Sequence, residues 1–443
     1  MEDNVQVLLY GLGVTGQSAI DVLAPRGYHL DLFLDKEPQS LPDEIDHLFT
    51  KAEEPVVQTY DFLLRSSGIP LDRPLLERAR KEDLEILSDI ELAYRLYGGD
   101  HMVAITGSNG KTTTTTLLTH LLKEAGLSAI ACGNIGNPVL SAMNRGPQGT
   151  WYILECSSFQ LSTVKEFAPH LAAITNITPD HLEWHGTFEA YAACKWAIGR
   201  AQRTEDLLLL NPKDSLSCEQ GEKGDWKAKI EKIDLQSDLA RRLRQGENWH
   251  LFGEHNIENA LFATRLAEEI LKEEGHDPAT IKEELGRGLD SFQPIHDRME
   301  KVCQVNGVDF VNDSKATNVD STVRALESID RPILLIAGGY DKKISFAPLV
   351  EAFRKHGKKL YLFGETKYQI QECFAKAGLA DQVQVFETLS QVMKQAESDG
   401  EAGDMVLLSP ASASWDMYPG YEARGDEFRE LALTYEKEVK QQH

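Results

Sequence analysis

The stretch that most constrains this chain is Val103 to Leu122, VAITGSNGKTTTTTLLTHLL. An apolar, β-branched run, HMVAI, breaks into the polar loop TGSNG. Lys111, a run of threonines and the helix-like LLTHLLKEAG follow at once. That order specifies a strand, a tight loop and a helix N-terminus. Loop N–H groups and the unpaired first N–H groups of the helix then converge on one spot and favour a bound phosphate. Lys111 would reach the outer phosphates, and the Thr112 hydroxyl would ligate Mg²⁺. The eight-position phosphate-loop pattern asks for a glycine at position 105, where Ile105 stands, so the match is incomplete. A capped strand-to-helix turn accounts for Gly107, Ser108 and Asn109. It leaves Lys111 unexplained, because a helix N-terminus disfavours a cation unless an anion is present as well.

At about 100 to 200 residues per domain, 443 residues allow two to four domains. The formal charge of −24 argues against a general affinity for nucleic acid or anionic membrane. Six cysteines (132, 156, 194, 218, 303 and 373) lie far apart with no CxxC pair, which reads as reduced thiols. Cys156 and Cys194 are expected as packed core residues rather than nucleophiles. The N-terminus, MEDNVQVLLYGLG, is acidic and enters a strand directly, unlike a signal peptide. No apolar run approaches the ~20 residues needed to span a bilayer. A cytoplasmic, unanchored monomer is expected.

Residues 1 to 97 alternate strand and helix signals: VQVLLY, GLGVTG, QSAIDVLAPRG, HLDLFLD and YDFLLRSSGIP. This predicts a parallel sheet with helices on its faces. Gly11, Gly13 and Gly16 match the dinucleotide fingerprint, and Asp35 closes the second strand about where a ribose-binding acid belongs. The same glycines would also serve a tight turn and close helix packing. YGGD at 97–100 reads as a linker. In the next segment, WYILEC places Glu155 at a strand's carboxyl end, and HLAAITN runs into ITPDHLEWHG. Ligands gather at that edge of open α/β sheets, which favours Glu155, Asp180 and His181 as site residues, although Glu155 could instead be a surface-facing strand end. His181 and His185 are spaced i, i+4, but HLEWH is not HExxH and Pro179 and Gly186 bracket a loop, so zinc is not expected. Lys195 lies among apolar neighbours; it either snorkels to solvent or faces the metal site with its charge removed or paired. Asn256 reads as an N-cap, and Asn259 as either helix-start filler or a nucleotide contact. A second boundary falls near LDSFQPIHDRME, at Pro294. Beyond it RPILLIAGG, KKLYLFGE, QVQVFE and DMVLLSP read as strands, with NDSKATNVDS, GGYDKK and SPASASWDMYPGYEARGDEF as loops at their carboxyl ends. The expected fold is α/β: three consecutive domains at 1–97, 98–295 and 296–443, Rossmann-like at both ends around a central phosphate-loop domain.

These motifs together resemble the Mur ligase family, over residues 11 to 428. TGSNGKTT is similar to that family's shortened phosphate loop, which accounts for Ile105. HDRME (296–300), NDSKATN (312–318) and SPASASWDMY (409–418) resemble the members that add D-glutamate. The resemblance implies an ATP-dependent ligase of peptidoglycan precursor synthesis. The carboxylate of UDP-N-acetylmuramoyl-L-alanine is phosphorylated, and D-glutamate attacks the acyl phosphate. It implies ATP contacts from Gly107 through Thr113 (Gly107, Ser108, Asn109, Gly110, Lys111, Thr112, Thr113) and from Asn259, Arg298 and Asp313. Lys111 and Lys315 would act on the transferring phosphate. Thr112 and Glu155 would hold one Mg²⁺, and His181 with a carbamylated Lys195 a second. Val14, Thr15, Asp35, Lys36 and Gly68 would bind UDP, helped by Asn134 and Gln160. Lys342, Ser414 and Tyr421 would bind D-glutamate. Ser67 stands where the family commonly has proline, and Lys36-Glu37 where Thr-Arg is usual, which bears on the uracil contacts. The alternatives are another amino-acid-adding member, against which NDSKATN weighs, and an NAD(P)-dependent oxidoreductase suggested by GLGVTG and Asp35. A non-catalytic nucleotide-binding regulator is disfavoured by the presence of Lys111, Glu155, His181, Lys195 and Lys315.

Overall fold

A computed structural model describes residues 5–38, 40–245, 253–293 and 296–442. The short apolar runs, each ending at a glycine or polar turn, become three successive sheets. The first contains β1 (Gln6–Tyr10), β2 (His29–Phe33), β3 (His47–Phe49), β4 (Phe62–Arg65) and β5 (Glu85–Leu87), in the order β3-β2-β1-β4-β5. All of its pairings are parallel. The chain reverses its winding between β1 and β4, so the GLGVTG loop and the SSGI turn leave neighbouring strand ends at the switch point, where open α/β sheets bind ligands.

The second sheet contains β6 (Met102–Thr106), β7 (Ala129–Gly133), β8 (Trp151–Glu155), β9 (Leu171–Ile174), β10 (Leu207–Leu210) and β11 (Lys229–Lys232). Its order, β11-β10-β9-β6-β8-β7, sets β6 between β8 and β9. The phosphate loop after β6 is therefore flanked by Glu155 on one side and by Thr175 and Asn176 on the other. One apolar cluster runs from Val7 and Leu9 of β1 through Met102 and Ala104 of β6 to Leu208 and Leu210 of β10, so these two sheets share a core.

The third sheet contains β12 (Glu300–Val305), β13 (Val308–Asn312), β14 (Ile333–Ala337), β15 (Gly357–Leu362), β16 (Val383–Val385) and β17 (Met405–Leu408), in the order β12-β13-β17-β14-β15-β16. Its inner strands β13, β14 and β17 bury both faces. Ile333, Leu335 and Ala337 enter one apolar cluster, and Leu334 and Ile336 enter the other. The β12–β13 pair is antiparallel, a hairpin closed by Asn306 and Gly307, both at positive φ (49° and 81°). The sequence reading gave VDFVND as a strand and passed over its partner.

The chain divides into two compact units, Met1–Arg241 with Glu258–Asp290, and Arg242–Ile257 with Ser291–His443. The expected boundary at Pro294 and residue 295 lies outside the described residues. Asn256, expected as an N-cap, falls inside the first turn of the helix Glu254–Glu273, with its N–H on the Gly253 carbonyl. All six cysteines are free thiols; Cys156 is buried, but Cys194 is half-exposed beside His185 rather than a core residue. Among the described residues no helix is long and apolar enough to cross a membrane.

At Gly16, in the first turn of the helix Val14–Leu23, a Cβ would lie 2.2 Å from the Gly11 carbonyl oxygen, a backbone atom with little freedom to move. At Gly13 a Cβ would meet nothing within 4 Å. Gly16→Ala is therefore expected to destabilise the protein by about 1 to 3 kcal/mol, read as a lower melting temperature in thermal unfolding, while Gly13→Ala leaves melting nearly unchanged. Equal melting of the two variants would contradict the close helix–strand approach.

Candidate functional site

The helix Lys111–Glu124 starts at Gly110, which has φ +88°. A side chain there would be strained by that φ, and its Cβ would lie 2.3 Å from Asn259 Oδ1. Asn259 thus packs directly on the phosphate loop, and Thr114 Oγ1 donates to its Oδ1 at 3.4 Å. From β9, Asn176 accepts from the Asn109 N–H at 3.0 Å and donates to the Asn109 carbonyl at 3.0 Å. Thr175 Oγ1 donates to that same carbonyl at 2.5 Å. Ser108 Oγ donates to the Thr178 carbonyl and meets the Tyr191 hydroxyl, both at 2.8 Å. The loop is thus held by neighbouring protein groups, and its backbone N–H groups are aimed from a helix N-terminus.

Two lysines converge on this loop. Lys111 Nζ donates to the carbonyls of Gly107 and Ser108 at 2.7 and 2.9 Å, and Lys195 Nζ donates to the Gly107 carbonyl at 2.8 Å. Lys195, on the helix Phe188–Trp196, is 2% exposed and lies over the Tyr191 ring at 4.7 Å. Snorkelling is thereby overturned, since its neighbours hold the ammonium inside. Burial, reinforced by the Lys111 charge, pushes its pKa well below the ordinary lysine value. Two amino groups thus meet on one carbonyl, at a helix end that disfavours cations.

Across the loop, Thr112 Oγ1 donates to Glu155 Oε2 at 2.6 Å, and Asn134 Nδ2 donates to Glu155 Oε1 at 3.0 Å. Glu155 is 3% exposed, so the surface-facing alternative fails. Asn134, expected as a sugar contact, is brought to this carboxylate. His181 adopts a left-handed backbone (φ 52°), with Nε2 3.7 Å from Asp180, and its ring packs on Phe159 at 4.9 Å between centroids. His185 hydrogen-bonds with Ser158 Oγ at 3.0 Å and is held neutral by burial, which lowers its pKa to about 4. Among the described residues no cluster of three His, Cys, Asp or Glu could hold a metal by itself.

At the first sheet's switch point Val14 is 69% exposed. Thr15 follows it in the helix, and Gly68 lies in the turn after β4. Asp35 meets the Tyr10 hydroxyl at 3.3 Å and Lys51 at 3.4 Å, and Lys36 is exposed beside it. Gln160 is not open to a ligand in this state. Its Nε2 donates to both oxygens of Asp89 at 3.1 Å, and its Oε1 accepts from the Ser157 N–H and hydroxyl in a capping box.

In the second unit the loops after β13, β14 and β17 are neighbours because those strands are. Asp313, 8% exposed, accepts from Ser409 Oγ at 2.8 Å and from the Met299 N–H at 3.3 Å. Burial raises its pKa to about 7, against the lowering by Ser409 and Arg298. Arg298 stands between Asp297 and Met299, which both have positive φ (63° and 44°), a conformation typical of functional loops. Lys315 Nζ lies 4.9 Å from the centre of the Tyr421 ring, and Lys342 Nζ 5.9 Å from that of Trp415. Ser414 Oγ is buried with no hydrogen-bond partner among the described residues. Sequence reasoning missed Asn176, Thr175, Tyr191 and the buried Arg424. The Arg424 guanidinium donates to Ser314 Oγ, to the carbonyl of Ser314 and to those of Ser412 and Ala413, tying two of these loops together.

Comparison with known proteins shows the family. Residues 105–267 match the Mur ligase middle domain, and residues 297–412 the Mur ligase, glutamate ligase domain. The UDP-N-acetylmuramoylalanine–D-glutamate ligase of Thermoanaerobacter pseudethanolicus is 35% identical over 96% of this chain and 97% of its own. The enzyme of that name from Koribacter versatilis is also 35% identical, over 98% of both chains. Among solved structures, the fold is similar to that of MurF ligase from Thermotoga maritima in complex with ADP, with a TM-score of 0.59 at 15% identity over 100% of this chain and 97% of that one. It is similar as well to UDP-N-acetylmuramate-alanine ligase MurC from the same organism, with a TM-score of 0.56 at 17% identity over 97% and 99%. The chain belongs to the Mur ligase family.

Proposed function

We propose that this protein joins D-glutamate to UDP-N-acetylmuramoyl-L-alanine at the expense of ATP, making a peptidoglycan precursor in the cytoplasm as a monomer. The observation that carries the ATP half is the loop at a helix N-terminus, held by Asn176 with Lys111 folded onto it, where backbone N–H groups and the lysine favour a polyphosphate. The terminal carboxylate oxygen of the UDP-linked substrate attacks the γ-phosphorus and ADP leaves. The neutral amine of D-glutamate then adds to the acyl phosphate carbonyl, and the tetrahedral adduct loses phosphate as the amide forms and the amine gives up a proton. Such chemistry depends on positioned charge rather than a protein nucleophile.

Lys111 neutralises charge on the transferring phosphate, with Lys315 in the same role. Gly107 to Thr113, Asn259, Arg298 and Asp313 hold the nucleotide. Thr112 and Glu155, already paired at 2.6 Å, form an oxygen donor set that suits Mg²⁺. That ion would screen the phosphate charge. His181 and Lys195 would serve a second one. Burial and the Lys111 charge disfavour the charged form of Lys195, and the neutral amine is the form that adds CO₂ to give a carbamate with release of one proton; the carbamate would convert a misplaced cation into an anionic ligand. In the first sheet the GLGVTG loop with Val14 and Thr15, Asp35, Lys36 and Gly68 holds UDP in place of a dinucleotide. Asn134 and Gln160 would help from the second sheet, exchanging their bonds to Glu155 and Asp89 for the ligand. Lys342, Ser414 and Tyr421 receive the two carboxylates of D-glutamate, and the unpartnered Ser414 hydroxyl supports this assignment. The domains proposed for these tasks are residues 1–97, 98–295 and 296–443.

The test is phosphate release from ATP across a substrate panel. Release is expected with UDP-N-acetylmuramoyl-L-alanine and D-glutamate together, and not when either is omitted. An equal rate with L-lysine or D-alanine in place of D-glutamate would overturn the assignment.

A further inference from the structure

Arg65 is the last residue of β4, 0% exposed, and among the described residues no carboxylate lies within ion-pair distance of it. A buried guanidinium with no carboxylate in contact is costly to fold around, and the Asp89 charge reaches it only from beyond contact, so its surroundings are informative. Its two terminal nitrogens make four hydrogen bonds to two separate segments. Nη1 donates to the carbonyls of Ser67 and Ile69 at 2.9 and 2.6 Å, fixing the turn after β4. Nη2 donates to the Phe159 carbonyl at 2.6 Å and to Ser162 Oγ at 3.1 Å. The guanidinium also lies 5.7 Å from the centre of the Trp184 ring.

Each held segment touches a different part of the site. In the turn, Ser66 Oγ donates to the Gly11 carbonyl at 3.3 Å, which binds the turn to the GLGVTG loop. On the other side the Phe159 ring packs on His181, Trp184 and His185, with centroids 4.9, 4.8 and 5.6 Å away. One side chain therefore sets the nucleotide-sugar turn of the first sheet against the His181 loop of the second.

We propose that Arg65 is a positioning residue that fixes where the UDP-sugar end of the substrate lies relative to the phosphate loop, so that its carboxylate arrives in line with the transferring phosphate. This rests on the reading of the SSGI turn as part of the UDP-sugar site. Lysine keeps the charge but offers three donors from one point, and cannot bridge both segments as a planar fork does. Arg65→Lys is expected to raise KM for UDP-N-acetylmuramoyl-L-alanine by about tenfold and to lower kcat, with KM for ATP within about twofold of the parent. A loss of stability alone would lower the apparent kcat through the folded fraction and leave both KM values unchanged, and would not produce that split. Equal shifts in both KM values, or unchanged kinetics, overturn the proposal. If Arg65→Lys does not fold, Ser162→Ala decides: it removes one acceptor and is expected to give a smaller rise in the same KM alone, and an unchanged KM overturns the proposal. Should the parent enzyme not use this substrate, calorimetric titration with UDP separates the two readings. Weaker UDP binding by Arg65→Lys than by the parent then supports the positioning role, and equal binding overturns it.

Discussion

Replacement of Lys111 by alanine is expected to lower phosphate release by about a thousandfold or more, in line with the loss of a preorganised cation from a phosphoryl-transfer site. The geometry makes the effect specific. Lys111 is the first residue of its helix, and its Nζ is folded onto the Gly107 and Ser108 carbonyls, within the loop that would wrap the phosphates. The loop is also held by Asn176, Thr175 and Thr178, which the substitution leaves in place, so the variant should still fold and bind UDP. UDP binding should be unaltered, because the first sheet's switch point is built from other residues. Activity within about tenfold of the parent would remove Lys111 from the chemistry and with it the phosphate-loop reading.

Lys195→Ala is expected to fall by about a hundredfold or more and, unlike Lys111→Ala, to recover part of its activity on addition of short carboxylic acids. The difference follows from what each side chain supplies. A buried amine whose pKa is driven down by its surroundings serves the site poorly as a cation and well as the carrier of a carboxylate. A small acid that diffuses into the space left by the side chain restores that carboxylate. A carbamate carbonyl resonance in the parent protein supplied with ¹³C-labelled bicarbonate, absent in Lys195→Ala, provides a readout independent of turnover. A fully active variant would exclude the carbamate.

Local signals were legible in the sequence, and tertiary ones were not. The phosphate loop needs only the order strand, polar loop, lysine, helix, and it is found where that order predicts. The alternating strand and helix runs foretold the parallel strands of the three sheets, because each β-strand buried on both faces is a short continuous apolar run. The hairpin partner Glu300–Val305 was missed although Asn306-Gly307 marks it, since its alternation of charged and apolar residues is weaker than the buried runs around it. For Lys195 the residues left snorkelling and an inward-facing role open, because its burial is decided by Tyr191 and by a loop some ninety residues earlier. Arg65 carried one faint signal, a charged residue at the end of the apolar run FLLR. Asn176 carried another, a polar residue at the carboxyl end of the strand beside the loop.

The packing of Asn259 against Gly110 has a consequence in time as well as in space. The two residues meet across a long stretch of chain, as does the neighbouring Thr114–Asn259 hydrogen bond, with a separation of 145 residues. A ribosome releases the phosphate loop long before it releases the helix that closes it, and domains fold as they emerge from the N-terminal side. The nascent chain can thus complete β6 and its helix early but cannot finish the nucleotide site until the helix Glu254–Glu273 has been made. An ATP-binding signal in chains stalled at successive lengths would then rise late, after that helix clears the exit tunnel, rather than when the loop itself appears.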